Sequence, residues 1–213
     1  MLSFLVLYGT GEGQTARVAA RVGDALVERG HDATVVDADA VPPGLSVDDF
    51  DAVLVGASVH GGKHQPSVRE FVASARDALA AKPTAFFQVS LSSADERGEA
   101  QAAGYVEEFV ADTGWNPDRI GLFGGALRYS KYGFLKRLLM RRIARRAVPE
   151  MPDPEPSGDV EFTDWDEVEA FAADVAAFVE GRLGVAPPDA AGNDRNAPPS
   201  SADDVRERHD RSG

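Results

Sequence analysis

The chain has no cysteine, so disulfides and thiolate-held metals are excluded. It has four histidines, at positions 31, 60, 64 and 209, and no structural zinc site or other metal is expected from them. Lysine is scarce. Four lysines and 18 arginines face 21 aspartates and 14 glutamates, for a formal net charge of -13. Acidic, lysine-poor surfaces of this kind resemble those of proteins from extreme halophiles, where carboxylates keep the surface hydrated and like charge keeps molecules apart. That reading concerns habitat, not chemistry. Long apolar runs are also missing. The opening "MLSFLVL" is seven residues with one serine, too short for a signal-peptide core or a membrane span. The expectation is a cytoplasmic chain. What remains is 43% apolar, enough for one sizeable core, over a length of 213 residues that suits one domain with a tail.

Along the chain, apolar runs and amphipathic stretches alternate. Strands are predicted over 1–8, 32–38, 51–59, 84–91 and 119–127. Helices are predicted over 13–29, 66–81 and 100–113, with a last one N-capped by Thr163. The near-continuous apolar strands read as buried on both faces. Five alternations of strand and helix imply an α/β domain: a doubly wound, five-stranded parallel sheet of order 2-1-3-4-5, helices on both faces. The domain is expected over residues 1–183. Residues 184–213, rich in Pro, Gly, Asp, Asn and Ser without apolar periodicity, read as an acidic, disordered tail.

In such sheets ligands bind beyond the carboxyl ends of the strands. The loop "YGTGEGQT" follows the first strand there. A P-loop needs a lysine after its second glycine, and the first lysine is Lys63. A dinucleotide fingerprint needs a third glycine where Gln14 or Ala16 stands. Only its looser form, ending in alanine, passes, with Asp37 as a possible ribose acid. A phospho-receiver needs an aspartate ending the third strand, where Gly56, Ala57 and Ser58 stand. The remaining ligand is the phosphate of flavin mononucleotide (FMN). Thr10 and Thr15 offer hydroxyls, Gln14 an amide, and Gly11 and Gly13 a tight backbone at a helix N-terminus. Glu12 suits an anion site only if it points to water.

Two more loops share that edge. In "GASVHGGKH" (56–64), the backbone around Ser58, Val59, His60 and Gly61 is suited to the polar edge of a flat ring. His60 reads as a near-site residue and His64 as a solvent-exposed one. In "VSLSSADERGEA" (89–100), Ser90, Leu91 and Ser92 offer hydroxyls and backbone groups, with Ser93 beside them. No aromatic residue occurs between Phe87 and Tyr105.

The stretch from Arg128 to Arg146 carries eight basic residues and no acid. It is expected to be helical from Gly133. Phe134, Leu135, Leu138, Leu139 and Ile143 line one face and Lys136, Arg137, Arg141, Arg142, Arg145 and Arg146 the other. Such a basic amphipathic helix suits a membrane surface, a partner protein or the chain's own acidic domain. Nucleic acid is not expected, because the rest of the chain is strongly acidic.

Taken in order, "YGTGEGQT", "GASVHGGKH", "GALRYSKYGF" and "TDWDEVEAFA" resemble the menaquinone-dependent protoporphyrinogen IX oxidases, a flavodoxin-like family. The resemblance implies FMN, oxidation of protoporphyrinogen IX with electrons passed to a quinone, a role in haem biosynthesis, and a peripheral position on the inner face of the cell membrane. It implies that residues 10–15 hold the phosphate and that 58–61 and 90–92 flank the flavin. A basic insertion at about 128–149 would cover the site, with Arg128, Tyr129 and Lys131 near the substrate. No catalytic acid or base is assigned. Two alternatives stay open: a flavodoxin-type electron carrier docking a redox partner, and a flavin-dependent quinone reductase. Small carriers usually sandwich the ring between aromatics, which these loops lack.

Overall fold

The computed structural model describes residues 1–94, 96–127 and 160–187, leaving out the side chains of 96, 97 and 127. The first strand, β1 (Ser3–Gly9), is buried along almost its whole length. Its side chains alternate: Phe4 and Val6 face one side of the sheet, Leu5 and Leu7 the other. Both faces must therefore be covered. After β1 come α1 (Gln14–Glu28), β2 (Asp32–Asp37), β3 (Ala52–His60), the two-residue β4 (Lys63–His64) and α2 (Pro66–Ala80). Then follow β5 (Thr84–Ser90), α3 (Glu96–Thr113), β6 (Arg119–Gly124), β7 (Ala126–Leu127), β8 (Val160–Glu161) and α4 (Trp165–Leu183).

The five long strands run parallel in the order β2-β1-β3-β5-β6, which is the expected flavodoxin-like order. On one face, Val18, Val22 and Leu26 of α1 and Val168, Val175 and Val179 of α4 pack on Phe4, Leu54 and Phe87. On the other, Val68, Val72 and Leu79 of α2 and Phe109 of α3 pack on Leu5, Val55 and Phe86, with Trp115 beside them. Each fully buried side chain of this size stabilises the fold by about 1.5–3 kcal/mol. As the edge strand, β2 is largely exposed.

Three assignments differ materially from the sequence reading. The stretch 119–127 is not one strand: β6 ends at Gly124, and β7 resumes at Ala126 to pair antiparallel with β8. Helix α3 starts at Glu96, not at position 100. The N-cap of α4 is Asp164, whose carboxylate accepts from the backbone N–H groups of Asp166 and Glu167. Thr163 is occupied elsewhere, donating its hydroxyl to the Gly124 carbonyl at 2.6 Å. Helix α4 closes at Leu183 with Gly184 in the left-handed region, φ 66°. The basic segment with Arg128, Tyr129, Lys131 and the helix expected over 133–146 lies outside the described residues. So does the tail beyond position 187.

Candidate functional site

The register sets the carboxyl ends of four strands side by side. Gly9 pairs with Ala57, Ser58 with Val89, and Ser90 with Gly124. A half-open cleft lies above these ends. It is lined by Thr10, Gly11, Glu12, Gln14, Thr15, Ser58, Val59, His60, Ser90 and Leu91, together with Val89, Gly125 and Ala126. Ten of the thirteen sequence-predicted cofactor residues are thus brought to one cavity. Gly13, Gly61 and Ser92 are not on its wall.

Gly13 shapes the cavity from behind. It is the N-cap of α1 at φ 95°, a left-handed conformation in which a side chain would be strained. It has no side chain, so the N-cap residue of α1 makes no side-chain hydrogen bond to the first turn. Its own N–H donates to Thr10 Oγ1 at 2.9 Å, which folds 10–13 into a tight turn. Thr15 is fully buried, and its hydroxyl has no hydrogen-bond partner among the described residues. An unpaired buried hydroxyl costs about 1–3 kcal/mol unless a ligand satisfies it.

Other side chains in the loop are committed to the protein. Ser58 Oγ accepts from Gly11 N–H at 3.2 Å and also from Gln65 Nε2, tying the loop to the start of α2. Gln14 Nε2 donates to Thr163 Oγ1 at 2.8 Å, and Gln14 Oε1 accepts from Arg17 at 3.2 Å. The Gln14 amide therefore braces the junction of α1, β6 and α4. Arg17 is paired with Glu161 and lies 5.1 Å from the Trp165 ring centroid. Burial pushes the Glu161 carboxyl up, but hydrogen bonds and charge from Arg17 override it and hold the group below the usual carboxylate range. No Arg or Lys lines the cleft among the described residues.

The hairpin after β3 corrects the reading of His64. Gly61 and Gly62 are its two-residue turn, at φ 60° and 83°, between the paired His60 and Lys63. His64 is buried, not exposed. It packs 4.9 Å from Phe109 and 5.5 Å from Phe86, centroid to centroid, and donates from Nε2 to Gln88 Oε1 at 2.8 Å. Burial lowers the His64 pKa below 6.5, and the Arg69 charge adds to that; the Gln88 bond and Glu108 oppose it. Its partner Gln88 donates in turn to the Ala102 carbonyl, 3.1 Å away.

On the third loop, Ser90 is buried and shares a 2.8 Å hydrogen bond with Ser93. Ser92 donates to Gln101 at 3.0 Å and so anchors α3. Sequence reasoning missed Val89, Gly125 and Ala126. The signal was "GG" at the end of β6. Gly125 N–H donates to the Ser90 carbonyl and its own carbonyl accepts from Phe162 N–H, both 2.9 Å. A Cβ on Gly124 would lie 2.2 Å from the Phe162 carbonyl oxygen, so only glycine allows this approach.

This is the geometry of a flavodoxin-like protein, and residues 5–150 match the family model described as "Flavodoxin domain". A solved structure of a short-chain flavodoxin associated with a non-canonical PDU bacterial microcompartment superposes with a TM-score of 0.51 at 16% identity, covering 84% of this chain and 99% of that one. Among curated proteins, the chain is 30% identical to protoporphyrinogen IX dehydrogenase [quinone] of Escherichia coli strain K12, over 83% of this chain and 96% of that protein. It is 32% identical to the protein of that name from Leishmania major, over 82% of this chain and 74% of that one. The chain belongs to the flavodoxin-domain proteins and, within them, to the protoporphyrinogen IX dehydrogenase (quinone) family.

The cofactor of a flavodoxin domain is FMN, and the cavity fits it. The uncapped start of α1 and the unpaired Thr15 hydroxyl suit a phosphate. Residues 58–60 and 89–91 form the rest of the lining described on the β3 and β5 sides.

Proposed function

We propose that this chain is an FMN-dependent enzyme that oxidises protoporphyrinogen IX to protoporphyrin IX and passes the electrons to a quinone, in haem biosynthesis. The observation that carries the reading is the nearly end-to-end match to curated relatives of that name, covering 96% of the Escherichia coli protein. FMN, when bound, supplies the two-electron chemistry, accepting electrons from the reduced tetrapyrrole and delivering them to the quinone. The protein's part is to bind, orient and exclude.

In this reading Thr10, Gly11, Gly13 and Thr15 hold the phosphate without a cation. The helix N-terminus and the Thr15 hydroxyl replace the missing charge. Glu12 lines the rim, and Gln14 fixes the loop through Thr163. The backbone at Ser58, Val59, His60, Ser90 and Leu91 lies against the flavin. Ser58 does so while pinning the Gly11 N–H. Gly61 and Ser92 hold the two loops in shape from outside the cavity.

The lining contains no Phe, Tyr or Trp among the described residues. Among the described residues, then, no aromatic of these loops sandwiches a ring bound here, which suits a face open to a substrate. That favours an oxidase over an electron carrier. Among the described residues, no helix is long and apolar enough to cross a membrane. A quinone dissolved in lipid would then be met at the surface, and the basic amphipathic stretch 133–146 is the proposed contact, on the inner face of the cell membrane. Arg128, Tyr129 and Lys131 precede that stretch, and we assign them to the substrate side.

The test is direct. Purified protein loaded with FMN and given a menaquinone analogue should generate porphyrin fluorescence from protoporphyrinogen IX faster than the autoxidation control. A rate equal to that control would sink the reading.

A further inference from the structure

A second, more open cleft adjoins the first. His60 lines both, so they open side by side at the β3–β4 hairpin. Their chemistry differs. The first has no Arg or Lys among its described lining residues, whereas the second has Lys63 on the hairpin and Arg69 on α2, with Glu70 as its carboxylate.

Pairing across the molecule singles out Lys63. Among the described side chains, Arg17, Arg21, Arg29, Arg69, Arg76, Arg119 and Arg182 each pair with a carboxylate. Lys82 donates to the carbonyls of Val47 and Phe50 at 2.6 and 2.8 Å. Lys63 is exposed and has no hydrogen-bond or ion-pair partner among the described residues. In a chain with 35 acidic residues, a lysine with no ion pair among the described residues is a charge available to an outside anion. Its backbone is held firmly. Lys63 pairs with His60 across the two-glycine turn, and the next residue, His64, is buried and bonded to Gln88.

We propose that Lys63, with Arg69 beside it, receives the propionate carboxylates of the tetrapyrrole substrate. This rests on the function proposed above. Protoporphyrinogen IX is a largely apolar macrocycle with its propionates on one edge. A reacting edge placed at the first cavity leaves that carboxylate edge to find cations nearby, and the adjoining cleft supplies them. Arg69 shares its charge with Asp112 at 2.6 Å, which makes Lys63 the leading contact. An uncharged quinone gains nothing there, so the cleft separates the two substrates by charge.

The experiment uses the FMN-loaded full chain and Lys63→Glu, Lys63→Arg and wild type. Lys63→Glu should raise KM for protoporphyrinogen IX about tenfold, leave KM for the quinone and the bound FMN content unchanged, and be rescued by Lys63→Arg. Fluorescence titration with protoporphyrin IX should show the same loss. Its dimethyl ester, which has no carboxylate, should bind wild type and Lys63→Glu alike. Equal KM values for wild type and Lys63→Glu, or an equal loss with the ester, would overturn the inference alone. A wild-type enzyme that neither oxidises the porphyrinogen nor binds the porphyrin overturns the parent reading and this inference together.

Discussion

Arg29 donates to both carboxylate oxygens of Glu180, each at 2.8 Å, across 151 positions of sequence. The contact joins the end of α1 to the end of α4. His31 completes it, donating from Nε2 to Glu180 Oε1 at 2.9 Å and accepting from Leu2 N–H at Nδ1. Glu180 is buried, and the Arg29 hydrogen bonds hold its carboxyl below the usual range; burial opposes this, and His31 assists it. Replacing Glu180 with Gln should destabilise the fold by about 3 kcal/mol, the lower end for a broken buried pair, because Arg29 keeps some access to water. That corresponds to a fall in Tm of roughly 6–12 °C. The sign with pH follows from the depressed pKa. The stabilisation is complete above the unfolded carboxyl's value, about 4.3, and is lost as pH falls through the lower folded value. The Tm gap between wild type and Glu180→Gln should therefore be widest near neutrality and close in strong acid. A gap independent of pH would contradict the assignment.

The membrane contact proposed for residues 133–146 would rest on charge as well as on the apolar residues of that sequence. Each basic residue near an anionic leaflet adds roughly 1 kcal/mol. Replacing Arg141 and Arg142 with Ala should thus weaken sedimentation with phosphatidylglycerol vesicles by roughly thirtyfold. Neutral vesicles should bind less, and added salt should erase the difference between the vesicle types before it abolishes binding. Equal sedimentation with both lipids at low salt would refute the electrostatic part.

The sheet was legible because its strands declare themselves twice, by apolar runs such as "DAVLVGA" and by the glycine or proline that follows. The loop 10–15 was legible for the same reason: its glycines and hydroxyls sit where a strand hands over to a helix. What resisted reading was contact at long range. Thr163 looks like an N-cap, and only the approach of the Gly124 carbonyl and the Gln14 amide diverts its hydroxyl and passes the cap to Asp164. His64 looks like a loop residue. The Gly61–Gly62 turn sends it back along β3, between Phe86 and Phe109, which local sequence does not announce. Gly125 and Ala126 reach the cavity because β7 leaves the sheet to meet β8, whose partner strand is distant in sequence.

His64 should remain neutral below pH 6.5, where an ordinary histidine takes up its proton. Its pKa is lowered by burial, so the unfolded chain takes up a proton below about pH 6.5 while the native chain does not. Stability should consequently fall as pH drops from about 6.5 toward the folded pKa. His64→Gln, which keeps a polar group in reach of Gln88, should flatten that part of the curve. An NMR titration of the histidine rings gives the direct check: a His64 midpoint at or above 6.5 would rule this out.

Thr15→Val separates the cost of the cavity from its use. In the free protein the Thr15 hydroxyl is buried with no described partner, so valine, which matches its shape, removes a liability. The apoprotein should be as stable as wild type or more stable, by up to about 1 kcal/mol. FMN binding should move the other way, weakening by about tenfold if the hydroxyl donates to the phosphate. Riboflavin, which lacks the phosphate, should bind wild type and Thr15→Val with equal affinity. Apoprotein Tm and flavin fluorescence quenching measure the two effects independently. Loss of FMN affinity with a parallel loss of stability would mean that Thr15 serves the fold alone. Gain of stability with unchanged FMN affinity would remove Thr15 from the phosphate site and leave the uncapped start of α1 to hold it.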